Sequence, residues 1–220
     1  MIETKVHPTA IVDPSAKIGA RAEIGPFSIV GSQVTIGDKT IVQSHVVIEG
    51  EVTIGSGNLI GHGAIIGTPP QDVSFSPQRK TKVEIGDDNI IREYCTIHRG
   101  TAEDSATKIG DKNFLMAGAH IGHNCEVGNN VIIANNCLLA GYVLVDDGAF
   151  LGGGSTFHQF MHIGRLVMVQ EAPRSERICR RSSSQLNAIL SLDSTWSDCA
   201  VPALVQRIEK TSKRHSSLFI

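Results

Sequence analysis

The chain has 220 residues, with 20 Lys and Arg against 22 Asp and Glu and only 5% aromatic residues. This near-neutral balance gives no reason to expect a nucleic-acid or membrane-surface binder, and the aromatic poverty excludes a core built on Phe and Trp. Five Cys without a C-x-x-C pair suggest neither a disulfide framework nor a zinc knuckle, and no apolar run approaches a membrane span. The N-terminus lacks the charged-then-apolar layout of a signal peptide, so a cytoplasmic protein is expected.

From Val12 an aliphatic residue recurs at every sixth position, through Ile18, Ile24 and Val30, as far as Ile66. The series resumes at Ile85, Ile91 and Ile97, skips one step, then runs from Ile109 to Val169. Most members are followed by Gly, Ala or Asp. The period predicts an all-β fold, a parallel β-helix of hexapeptide repeats. Each hexad supplies a short strand with one inward aliphatic residue and a corner that takes a small one. Three hexads close a triangular coil, so the body makes about eight coils stacked roughly 4.8 Å apart. The period alone does not set the hand of the winding.

Two stretches break the series. Residues 68–82 are Pro-rich and polar, and 101–107 hold the skipped step. Both are expected to leave the prism as loops, and loops on a rigid scaffold often carry sites. The composition changes again near Gln170. All 22 Gly precede it, whereas residues 170–220 hold ten Ser, the only Trp, and eight Lys and Arg against five Asp and Glu. The domains expected are therefore 1–169, the prism, and 170–220, an atypical tail.

Coil spacing converts sequence into geometry. Residues 18 apart stack in neighbouring coils, which puts His123, Gly141 and Gln159 in one column. An imidazole beside an unshielded backbone N–H suits acyl transfer, with a base for a hydroxyl and an amide for the oxyanion. His120 lies three residues from His123. A metal-dependent lyase of the carbonic-anhydrase kind is the rival, with His98, His120, His123 and His158 as candidate ligands. On 18-residue columns, however, Ala102 and Ser105 underlie His120 and His123, with Glu84 and Asp87 one coil further down, so no His stack is expected. A non-catalytic prism is the third class. His45, His62 and the thiols Cys95, Cys125 and Cys137 read as structural. The basic run Arg79-Lys80-Thr81-Lys82 reads as solvated surface or a contact for an acidic partner.

Several segments resemble the acyl-[acyl-carrier-protein]–UDP-N-acetylglucosamine O-acyltransferases of lipid A biosynthesis. They include His7-Pro8-Thr9-Ala10, Ile24-Gly25-Pro26-Phe27, Gln71-Asp72 and Ile91-Arg92-Glu93. Thr96-Ile97-His98-Arg99-Gly100-Thr101 and His120-Ile121-Gly122-His123-Asn124-Cys125 are more specific, and Ala134-Asn135-Asn136 and Phe157-His158-Gln159-Phe160 complete the set. The resemblance implies a left-handed prism, a homotrimer with sites in clefts between subunits, and no metal or other cofactor. It implies that His123 deprotonates the sugar 3-hydroxyl and that the Gly141 N–H holds the oxyanion. Gln71, Asp72, His120, His158 and Gln159 would bind or position UDP-N-acetylglucosamine or the acyl chain brought by acyl carrier protein. The chain departs from the family at Tyr142, where His is common, and after Val169.

The tail has a second reading. If the third base of each codon is joined to the first two of the next, Ile178 through Asn187 can encode Leu-Pro-Pro-Phe-Val-Ile-Ala. Thr195 through Val205 can encode Val-Val-Gly-Leu-Arg-Arg-Ala-Gly-Phe-Ser in the same frame. Both strings resemble C-terminal motifs of that family. The alternative is a genuine divergent tail with short helices at 186–192 and 201–208.

Overall fold

The computed structural model describes residues 4–170, and the expectations for 171–220, frame and helices alike, lie outside the described residues. Within them every strand is short and every pairing is parallel. Three sheets of nine, eight and eight strands run the length of the prism. The first face runs from Lys5–Val6 to Met168–Val169, the second from Ile11–Val12 to Thr156–Phe157, the third from Lys17–Ile18 to His162–Ile163. The fold is a parallel β-helix of hexapeptide repeats, as the period predicted, and it winds left-handed.

In each strand pair the second residue points inward. Ile36, Ile48, Ile54, Ile60, Ile66, Ile91, Ile97, Leu115, Ile121, Ile133, Leu139 and Leu151 are fully buried and fill the prism. Burial of one such side chain is worth roughly 1.5–3 kcal/mol, so a continuous aliphatic stack replaces an aromatic core. The outward residues give each face its own chemistry. Ile41, Leu59, Ile90, Phe114, Ile132 and Phe150 make the first face an apolar seam. The third face presents Thr53, Glu84, Lys108 and Glu126, with Lys82–Glu84 and Lys108–Glu126 ion pairs. The second face is mixed and carries Thr96 and His120.

The two interruptions are excursions from the corner between the second and third faces. Strand Ile65–Thr68 gives way to a loop over 69–81, and strand Lys82–Ile85 begins the third face again. The later excursion ends where strand Ala106–Ile109 begins. Ladder pairing crosses both without loss: Ile60 pairs with Ile91 across the first, and Ile97 with Ile121 across the second.

Candidate functional site at the second corner

His123 occupies the corner between the second and third faces and is 9% exposed. Gly141 lies one coil above it, and a Cβ built on Gly141 would overlap the His123 ring. The imidazole therefore rests against the Gly141 backbone, a closeness that only glycine permits. The Gly141 N–H has no acceptor among the described residues. Tyr142 N–H closes the corner onto the His123 carbonyl at 2.9 Å.

Two further imidazoles approach from the second face. His120 Nδ1 is 2.8 Å from Thr96 Oγ1, and its ring meets that of His98 edge-on at 5.2 Å. His98 Nδ1 donates to the Pro69 carbonyl at 2.8 Å, and its buried Nε2 has no partner among the described residues. Burial holds the His120 pKa below the usual histidine value, with smaller contributions from the charges of His98 and His123.

This clustering corrects the expectation that no His stack forms. The expectation used a constant 18-residue step, which places Ala102 beneath His120. The excursion at 101–105 lengthens that step, so Thr96, not Ala102, pairs with His120 and brings His98 beside it. Glu84 and Asp87 do not join them. Glu84 is engaged by Lys82 at 2.7 Å on the third face, and Asp87 accepts from the Ser56 N–H at 2.6 Å. Among the described residues no three His, Cys, Asp or Glu side chains group as metal ligands.

The first loop carries Asp72, whose charge interacts with that of His123. Asp72 Oδ1 accepts from the Ser74 N–H and hydroxyl, both at 2.8 Å. The Ser74 N–H is the main reason its pKa falls below the ordinary carboxylate value. The Ser74 hydroxyl adds to the shift, desolvation opposes it, and the charges of His123 and Arg79 contribute less. The loop is pinned by the next coil: the Arg99 guanidinium sits 5.4 Å from the Phe75 ring centre, and Arg79 donates to the Thr101 carbonyl at 3.0 Å. Gln71 is exposed on the same loop, and His158 and Gln159 are exposed on the coil beyond Gly141. Of the residues singled out in the sequence, His123, Gly141 and His120 are thus gathered and Asp72 interacts with His123 through its charge, while the exposed side chains of Gln71, His158 and Gln159 make no hydrogen bond among the described residues.

The sequence offered Thr101 and Asn124 only as members of family-like segments, without a role, and Tyr142 only as a departure. Asn124, Tyr142 and Phe160 form their own 18-residue column and all adopt left-handed backbone, with φ of 59°, 60° and 63°. The Tyr142 ring stacks on Phe160 at 5.0 Å and meets the His123 ring edge-on at 5.3 Å. The spacing held that column; Thr101 sits in the excursion, where spacing carries no information. The thiols behave as packing groups. Burial pushes Cys95 and Cys125 up to about 11 and Cys137 up to about 12, far from a nucleophile's range.

The family model "Bacterial transferase hexapeptide (six repeats)" matches residues 15–50 and 106–141. The solved LpxA of Acinetobacter baumannii is 43% identical, covers 76% of this chain, is itself covered over 71%, and superposes with a TM-score of 0.72. The chain belongs to the UDP-N-acetylglucosamine acyltransferase family. The UDP-N-acetylglucosamine O-acyltransferase of Moraxella catarrhalis is 46% identical over 76% of this chain and 65% of its own, with a TM-score of 0.73. Among curated relatives, an acyl-[acyl-carrier-protein]–UDP-N-acetylglucosamine O-acyltransferase of Gloeothece citriformis is 47% identical over 111 residues, which is 50% of this chain and 40% of the relative. The match thus spans less than half the length of that relative.

Proposed function

We propose that the chain transfers an acyl group from acyl carrier protein to the 3-hydroxyl of UDP-N-acetylglucosamine. Membership of the family supports the reaction class over a metal-dependent lyase. The observation that carries the site is the His123 imidazole lying against the Gly141 backbone, beside a free amide N–H. His123 takes the hydroxyl proton as the sugar oxygen attacks the thioester carbonyl. The Gly141 N–H donates to the oxyanion of the tetrahedral intermediate. When the intermediate collapses, the C–S bond breaks and the carrier thiolate leaves with the proton returned by His123. The charge of Asp72 stabilises the imidazolium that forms between these steps. His120, His158, Gln159 and Gln71 line the approach of sugar and acyl chain.

His123→Ala should lower turnover about 10²–10⁴-fold with an unchanged far-UV spectrum, because a corner imidazole adds little to the aliphatic stack. Activity within a few-fold of the parent would remove His123 from the mechanism.

The assembly proposed is a homotrimer. An apolar seam such as the first face, from Ile41 to Phe150, is too extended to be left in water on a soluble monomer. A trimer would cover it with the second face of the neighbour and set His120 and His123 in the cleft between copies. Sedimentation should return a mass near three chains, and a stable monomer at micromolar concentration would refute the shared cleft.

A further inference from the structure

His123 Nδ1 and four polar groups around it are joined by hydrogen bonds whose directions follow from one backbone N–H. The Thr101 backbone N–H lies 3.0 Å from the side-chain amide of Asn124. A backbone N–H can only donate, so the Asn124 atom it meets is the oxygen and not the nitrogen. The same oxygen is 3.0 Å from Thr101 Oγ1 and 3.2 Å from His123 Nδ1. An amide oxygen only accepts. Thr101 must therefore spend its hydroxyl proton on Asn124, and His123 must carry its ring proton on Nδ1. The Thr101 oxygen is then free to accept, and Tyr142 OH stands 3.2 Å away to donate to it.

We propose that Asn124, Thr101 and Tyr142 are positioning residues that hold neutral His123 in the Nδ1–H tautomer, leaving the Nε2 lone pair as the base. The proposal rests on the reading of His123 as general base and deepens it. A neutral imidazole has one N–H, so with Nδ1 protonated the free pair is at Nε2. The opposite tautomer would present an N–H to the sugar hydroxyl and could accept no proton from it. Orientation is held by the same residues. The Asn124 N–H is tied to Thr107 Oγ1 at 2.8 Å, Gly141 lies against one side of the imidazole, and the Tyr142 ring, braced on Phe160, closes another. Because the acceptor is a neutral amide, it sets the tautomer without the field of a carboxylate. The carboxylate whose charge acts on His123 is instead Asp72, on the first loop.

Two variants separate this role from mere packing. Thr101→Val keeps the shape and removes the hydroxyl; Tyr142→Phe keeps both ring contacts and removes only the phenol. The tautomer is read directly by long-range 15N–1H correlation of histidine-labelled full-length protein at a pH where His123 is neutral. The parent should show His123 with Nδ1 protonated. Thr101→Val should raise the minor tautomer and lower kcat about fivefold, the worth of one hydrogen bond, with KM unchanged. Thr101→Ser should restore both, and Tyr142→Phe should shift both in the same direction by less. A parent His123 protonated at Nε2, or a Thr101→Val protein with parental tautomer population and kcat, would overturn the proposal. The spectra decide the tautomer whatever His123→Ala does to turnover, so the two readings fail separately.

Discussion

His120 shows how the histidine cluster at this corner imposes a cost that proton binding makes visible. Its imidazole is partly withdrawn from water on the second face and shares space with His98 and His123, so its folded pKa lies below the unfolded one. The unfolded chain accordingly binds a proton that the folded chain resists. For a lowered histidine pKa, stability is full above the unfolded value of about 6.5 and is lost as the pH falls through it. The melting temperature should decline as the pH is taken from about 7.5 to about 5.5, before carboxylates titrate. His120→Gln should flatten that decline. An identical slope in parent and variant would assign the loss to other groups.

At the scale of single strands, the prism depends on a device unrelated to its aliphatic stack. At the corner between the third and first faces, buried asparagines pass a hydrogen bond from coil to coil. Asn58 Oδ1 accepts from the Asn89 N–H at 2.9 Å, Asn89 from Asn113 at 2.8 Å, and Asn113 from Val131 at 2.7 Å. Asn113 Nδ2 also donates to the Gly128 carbonyl at 2.9 Å. This ladder runs through the two coils that carry the loops, and it keeps their backbone in register while the neighbouring corner is interrupted. Asn113→Ala would strand the Val131 N–H in a dry corner, at a cost of about 1–3 kcal/mol. The urea midpoint should fall at constant m-value, and turnover of the folded fraction should hold, since His123 is at another corner. An unchanged midpoint would mean that water or a backbone shift satisfies Val131.

For the whole molecule, the chain beyond the prism is proposed to govern how well substrate is held. On the displaced-frame reading, residues from about Gln170 onward are a misread form of the family's C-terminal region, and the two recovered strings lie in the family's order. The prism and His123 would then be sound while affinity for the sugar nucleotide would be poor. Resequencing the DNA around codon 170 decides it. If both motifs are present in one shifted phase, restoring that phase should lower the KM for UDP-N-acetylglucosamine. If the codons used cannot encode them, the tail is a genuine divergence.

The sextet period was sufficient for the architecture because the inward positions from Val12 to Val169, Phe157 apart, meet the same requirement, an aliphatic side chain stacked on another. It also put His123 under Gly141, since no residue is inserted between those coils. The period could not place His98 against His120, because the excursion at 101–105 changes the step between their coils, and only the ladder pairing of Thr96 with His120 reveals the new one. Nor could it set the direction of a hydrogen bond. The tautomer of His123 depends on which atom of Asn124 faces a backbone N–H from a loop, and that contact exists only once the chain has closed on itself.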